Sequence, residues 1–381
     1  MASAGGLSRR RVGGNASTSN DDDDDHRRFS APSPNGSAVT SPVHAGSAFA
    51  GGSKIAYDPR DLEDANEEAK AGGKMPRLTL MEEVLLLGLK DKQGYLSFWN
   101  DNISYALRGC ILIELALRRR IALVKDPARK RLPLSERVVE VIDERQTGET
   151  ILDETLRLMK SQETEKLGIN NWIDLLSGET WNVMKIGFQL KQVRERLAKG
   201  LVDKGVLRTE KRNFLLFDMA THPVSDIRTK ESIVTRVVSL LTATTSAVPP
   251  AALDKEGVQC RALRAVCLVC AAYTASVLDN AFGRLGYEER EDAFARCDEI
   301  LGEFASWPFG AASGASEAVS TPRRRTATAR IATGGSGDAG RESILGLLAE
   351  VRKESIGGDE DVSFELVAGV LEVLSKLDSL L

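Results

Sequence analysis

Histidine is scarce in this chain: there are three in 381 residues, His26, His44 and His222. Imidazole catalysis therefore has one candidate, His222, which precedes Pro223 in turn-like sequence, and no nucleophile, base and orienter fall together around it. The residues argue for a protein that is not an enzyme, and they call for no cofactor. Cysteine is nearly as sparse, at Cys110, Cys260, Cys267, Cys270 and Cys297. An odd number, mostly in apolar helical sequence, argues against a disulfide framework and for reduced thiols in the cytosol. Cys267 and Cys270 have C-x-x-C spacing, but no second pair follows and the histidines are distant, so buried thiols on one helix are expected rather than zinc.

A long apolar run is also missing. The longest candidate, Ala265 to Leu278, carries Tyr273, Thr274 and Ser276 and falls short of the roughly 18 to 20 residues a spanning helix needs. The chain starts MASAGGLSRRR, without the apolar core of a signal peptide and with Ala2 where myristoylation needs glycine. Any membrane contact is expected from outside the bilayer. Nor is there an excess of one charge: the net value is −4, so attraction to phosphates has to come from a local patch.

What is present suits a globular protein. With 42% hydrophobic and 28% charged residues, the chain can build one large or two modest cores. Residues 1 to 74 are rich in Gly, Ser, Ala and Asp, with Arg9-Arg10-Arg11 and an acidic run Asp21 to Asp25. Such a segment buries too little apolar surface to offset its ordering entropy and is expected to be a disordered tail, in which an arginine cluster can still dock on an acidic partner. Folded sequence is expected over 75–306, a low-complexity insertion containing Arg323-Arg324-Arg325 over 307–341, and C-terminal helices of the same core over 342–381. Gly335 to Gly340 matches G-x-G-x-x-G, but without a strand before it or a βαβ unit around it the match is chance.

The organising stretch is Leu78 to Asp101. Thr79 and Glu82 form a capping box, and Val84 to Leu89 is too apolar to face water. Phe98 and Trp99 follow after Gly94; a large indole there is either an inward anchor or an interfacial ring. Ser104 to Arg120 is a helix apolar on nearly all sides, broken by Arg108. A guanidinium in that position needs a carboxylate, which would make it structural, or another anion, which would make it a ligand anchor. Gly109 beside it permits close approach. A short strand, loop and return occupy Ile121 to Val139; short helices are expected at 151–159 and 171–176, the latter stopped by Gly178.

A longer helix is expected from Met184 to Lys204, with Leu190, Val193, Leu197 and Leu201 as its buried stripe and Lys191 and Arg194 as neighbours on its rim. After Gly205 the sequence VLRTEKRNFLLFDM reads as a β-hairpin: Val206-Leu207, a polar tip at 209–213, then Phe214, Leu215, Leu216 and Phe217. That apolar second strand is packed on both faces or inserts into a membrane or partner. Helix followed by hairpin, at 104–139 and again at 184–219, is also how a winged-helix nucleic-acid-binding protein reads, which makes that the alternative function. Further helices are expected at 229–243, 256–283, 287–306, 342–353 and 362–381. The fold class is mainly α: a single helical domain with short β-hairpins, one of them apolar and protruding, and a disordered N-terminal tail.

Taken together, LTLMEEVLLLGLKD (78–91), GYLSFWND (94–101), LRGCILIELALRRR (107–120), LLSGETWN (175–182), VRERLAKGLVDKGVL (193–207) and TEKRNFLLFDMATHP (209–223) resemble the Golgi phosphoprotein 3 family. The resemblance implies a mostly helical peripheral protein of the cytosolic Golgi face, exchanging with cytosol. Members of the family bind phosphatidylinositol 4-phosphate and retain glycosyltransferases by linking their cytosolic tails to coatomer. Carried over by motif, the headgroup site falls on Trp99, Arg108, Lys191 and Arg194. Lys191 stands where some members carry arginine, so one point charge replaces a bidentate contact there. The resemblance further makes 206–217 the hairpin for membrane insertion or self-association into a homo-oligomer, and Arg9, Arg10 and Arg11 the coatomer-binding cluster. Nucleic acid is not an expected partner on this reading.

Overall fold

The computed structural model describes residues 74–96, 102–179, 182–214, 217–311 and 336–377. Ten α-helices and two separate antiparallel hairpins account for its regular structure among those residues. The first helix, α1 (Leu80–Gly88), starts as its capping box dictates: the Thr79 N–H donates to Glu82 Oε2 at 2.8 Å. Every residue of α1 is buried, which is why its sequence carries no polar stripe.

At the centre lies α2 (Asn102–Leu117), thirteen of whose sixteen residues are buried. Around it pack α1, α3 (Thr150–Ser161), α4 (Ile169–Ser177), α5 (Val193–Asp203), α7 (Arg261–Thr274) and α10 (Val362–Ser375). Gly109 lets α10 come close: a Cβ there would meet Leu374 and Val370 at 3.1–3.2 Å. The permitted approach is therefore helix on helix. The first hairpin, β1 (Ile121–Leu123) with β2 (Val139–Val141), lies against α10.

Several elements differ from their expected extents, among them the helix expected at 342–353, which starts at Ser336 inside the span expected as a low-complexity insertion. The helix expected from Met184 begins only at Val193, because Gln192 sits at φ 52° and the Leu190 N–H donates to the Leu176 carbonyl at 3.0 Å. Residues 183–188 form a 3₁₀ turn instead. The expected stripe still holds, with Leu190, Val193, Leu197 and Leu201 all buried. The span expected as one helix over 256–283 divides into α7 and a 3₁₀ turn, Leu278–Phe282.

The second hairpin pairs β3 (Glu210–Phe214) with β4 (Phe217–Thr221), in the register Glu210 opposite Thr221 and Phe214 opposite Phe217. Val206 and Leu207 are thus not hairpin residues. Both are core, 0% and 2% exposed, and the Val206 N–H closes α5 on the Leu201 carbonyl at 2.8 Å. Phe214 closes β3 and Phe217 opens β4, so these two apolar residues lie on opposite strands and not along one, and Lys211, Asn213 and Asp218 of those strands are exposed. Leu215, Leu216, Arg9, Arg10, Arg11 and Arg323 to Arg325 lie outside the described residues.

The remaining helices, α6 (Ile227–Leu241), α8 (Tyr287–Phe304) and α9 (Ser336–Glu354), complete the core. Gly337 to Gly340 of the G-x-G-x-x-G match fall inside α9. Beyond α8, Phe309 is buried and stacks near Phe304 and Trp307, with centroids 5.0 and 4.9 Å apart. All five cysteines are free and buried.

The core also holds ionised groups. Glu114, fully buried on α2, accepts from Arg264 of α7 at 2.8 and 3.0 Å, from Arg118 at 2.7 Å and from the Leu80 N–H at 3.0 Å. Burial raises its pKa, but the two guanidinium groups outweigh that and hold it well below the usual carboxylate range. Glu365 of α10 is likewise gripped by Arg129, at 3.1 Å, and by Arg137.

Removing one member of such a group leaves the others charged and unpaired. Glu114→Ala is expected to cost about 3–5 kcal/mol in urea unfolding, and Glu114→Met with Arg264→Met to recover part of that loss. Glu83 behaves oppositely, since burial outweighs its Arg236 partner and raises it from 4.5 to about 6. Its contribution to stability is complete below pH 4.5 and is lost as pH rises through about 6. Unfolding across pH 4.5–7 should therefore shift in favour of Glu83→Gln over the parent, by up to about 2 kcal/mol.

Candidate lipid-headgroup site

Arg108 lies on α2 with 5% of its surface exposed. Its guanidinium meets no carboxylate among the described residues. It donates instead to three main-chain carbonyls: Ser104 at 2.8 Å, Leu176 at 3.3 Å and Leu190 at 2.8 Å. The Ser104 hydroxyl accepts a fourth bond at 2.7 Å. Carbonyl dipoles satisfy the donors but leave the unit charge in place. Burial first, and then the charge of Arg194, push the guanidinium down to about 10, so it remains a cation at neutral pH.

The two carbonyls from Leu176 and Leu190 define what this cation does locally. Leu176 is near the end of α4, and the chain returns at Leu190, where the Leu190 N–H donates back to the Leu176 carbonyl at 3.0 Å. Arg108 thus clamps both sides of the neck of a loop. The Gln189 amide adds a bond to the Ser177 carbonyl at 3.2 Å. Tyr105, one turn earlier on α2, fixes α4 beside it by donating to Asp174 at 2.6 Å. Burial of the phenol first, and then its bond to the Asp174 carboxylate, raise the Tyr105 hydroxyl far above its ordinary range.

Directly after the neck the chain places two further cations. Lys191 is exposed in the turn, and Arg194 is exposed in the first turn of α5. They are not rim neighbours on one helix, as expected from their spacing, because the helix starts between them. Among the described residues neither has a carboxylate partner, in contrast to Arg196, which pairs with Glu154. The N-cap position of α5 is Gln192, whose side chain makes no capping bond. The uncapped N–H groups and the helix dipole add positive potential beside Arg194. Glu195 in the same turn lies against His222, with its Oε1 3.2 Å from Nε2.

Three of the four expected headgroup residues, Arg108, Lys191 and Arg194, therefore belong to one stretch of structure: a buried clamp, the turn leaving it and the helix start that follows. Trp99 lies outside the described residues. What sequence reasoning missed are the acceptors that hold Arg108, namely Ser104 and the Leu176 and Leu190 carbonyls. Main-chain carbonyls carry no residue-type signal, and only the break in helical geometry at Gln192 could have indicated them. Chemically the arrangement suits an anion with several oxygens presented from solvent.

Among the described residues no group of His, Cys, Asp or Glu is arranged to hold a metal, and no helix is long and apolar enough to cross a membrane. The two hairpins belong to separate two-stranded sheets.

Comparison with known proteins agrees with the sequence motifs. The family model described as Golgi phosphoprotein 3 (GPP34) matches residues 80–324. Vacuolar protein sorting-associated protein 74 of Schizosaccharomyces pombe is 52% identical over 328 residues, which cover 86% of this chain and 88% of the relative. The protein of the same name from Eremothecium gossypii is 48% identical over 328 residues, covering 86% of this chain and 90% of that one. A match over the central helices, the loop neck and the hairpin, with relatives of this identity and coverage, means that the chain belongs to the Golgi phosphoprotein 3 family.

Proposed function

We propose that this protein is a peripheral membrane adaptor that recognises phosphatidylinositol 4-phosphate on the cytosolic face of the Golgi and retains glycosyltransferases by linking their cytosolic tails to coatomer. Its family membership supports a Golgi-associated trafficking role. The observation that carries the lipid reading is a cationic cluster without a counter-ion. Arg108 is buried on carbonyls alone, and Lys191 and Arg194 have no carboxylate partner among the described residues. A headgroup with two phosphates supplies that missing charge.

In this mechanism Arg194 and Lys191 contact the headgroup phosphates, while Arg108 contributes its charge from behind and keeps the neck closed. Trp99 sits in the interfacial zone, which suits an indole. The hairpin turn flanked by Phe214 and Phe217 enters the bilayer or meets a second copy. Arg9, Arg10 and Arg11 reach coatomer from the tail. Each contact is modest, at about 1 kcal/mol per basic residue near an anionic surface, so residence on the membrane depends on several being made together.

Arg194→Ala removes one phosphate contact without touching the neck. Flotation with liposomes containing phosphatidylinositol 4-phosphate is expected to weaken about tenfold, the equivalent of roughly 1.4 kcal/mol, with thermal unfolding unchanged. Arg108→Ala should weaken flotation further and also lower stability, because it opens the neck. Flotation by the parent that ignores phosphatidylinositol 4-phosphate would overturn the lipid reading.

A further inference from the structure

The loop whose neck Arg108 clamps carries two apolar residues outward. Its far end is the 3₁₀ turn Val183–Phe188, where Met184 is 87% exposed and Ile186 46% exposed. The turn is nevertheless tied down by polar groups. The Asn182 side chain accepts from the Met184 N–H at 3.0 Å, Lys185 pairs with Glu165 at 3.0 Å, and the Gln189 N–H donates to the Ile186 carbonyl at 3.2 Å. Two large apolar side chains thus stand in water on a turn whose backbone and Lys185 are held in place. Gly187 beside them has open space around it.

We propose that Met184 and Ile186 form a second apolar contact with the lipid surface, inserted beside the headgroup held at Arg108, Lys191 and Arg194. The inference rests on the lipid reading above and deepens it. Two observations select a membrane over other apolar surfaces. The turn leaves the same neck that Arg108 bridges, so its tip is anchored to the cationic site itself. The chain that follows it supplies Lys191 and Arg194, whose unpaired charges suit an anionic surface. Met and Ile are long enough to reach the acyl boundary while Lys185, held by Glu165, stays with the protein. The arrangement supplies apolar burial at the point of headgroup recognition, independently of the hairpin.

Because all five native cysteines are buried, Met184→Cys can be labelled selectively with an environment-sensitive dye. On vesicles of phosphatidylcholine with phosphatidylinositol 4-phosphate its emission is expected to shift to the blue and to be quenched by doxyl-labelled lipid. Met184→Ser with Ile186→Ser is expected to weaken binding to the same vesicles about tenfold, while leaving binding of water-soluble dibutanoyl phosphatidylinositol 4-phosphate unchanged. An unshifted dye on vesicles that bind the protein, or full vesicle affinity in the double variant, would overturn the contact. Loss of soluble-lipid binding in the double variant would overturn it too, since the turn would then be shaping the site rather than touching the bilayer. A parent that binds phosphatidylcholine vesicles equally well with and without the phosphoinositide would instead sink the headgroup reading, and a dye shift on both would keep the apolar contact standing alone.

Discussion

Glu114 is a carboxylate with no access to water, in the last turn of the helix on which the others pack. Taking such a charge out of water is costly, and here it is answered by two guanidinium groups and a main-chain N–H. Those partners come from the residue just past the end of α2, from α7 and from the start of α1, so satisfying one carboxylate requires three elements to meet at a single place. Glu365 sets a similar condition for α10, drawing in Arg129 and Arg137. Apolar surface supplies the driving force for the core, but it is non-directional. The buried charges tolerate only one arrangement of helices.

Arg108 and Glu114 share that central helix, about 9 Å apart along its axis, and the contrast between them is where structure turns into function. Glu114 is fully neutralised. Arg108 has its donors occupied by carbonyls and keeps its charge. The same solvation cost that makes Glu114 recruit arginines leaves Arg108 positive at the edge of the core, next to Lys191 and Arg194. A helix that is structural along one part of its length is therefore electrostatically unfinished along another.

Much of this was readable residue by residue. The capping box at Thr79 and Glu82, the buried stripe from Leu190 to Leu201 and the oddity of Arg108 all follow from local spacing, and local spacing is what helices obey. The Glu114 network was not readable, because Arg264 lies on a different helix far along the chain and nothing about either residue alone announces its partner. The start of α5 was missed for a related reason: the periodicity of Leu190 and Val193 continues across Gln192, although the backbone does not. In the hairpin, the four apolar residues looked like one strand. Phe214 and Phe217 instead face each other from opposite strands, because the pairing of Glu210 with Thr221 fixes a register that no two-residue period could reveal. The resemblance to a family implied a headgroup site on four residues, and the carbonyl clamp around Arg108 brings three of them into one stretch of structure.

The five thiols have a consequence of their own. Cys110 is on α2, Cys267 and Cys270 on α7, Cys297 on α8, and Cys260 sits at φ 52° just before α7. Burial pushes the Cys260 thiol up to about 11, and those of Cys110, Cys267 and Cys270 up as well. Thiolate is the form that oxidants and alkylating reagents attack, so the folded protein is chemically quiet at these four cysteines, and Cys297 is buried with them. Reactivity appears only when the helices around α2 and α7 part, which makes each modified thiol a durable record that the core has opened.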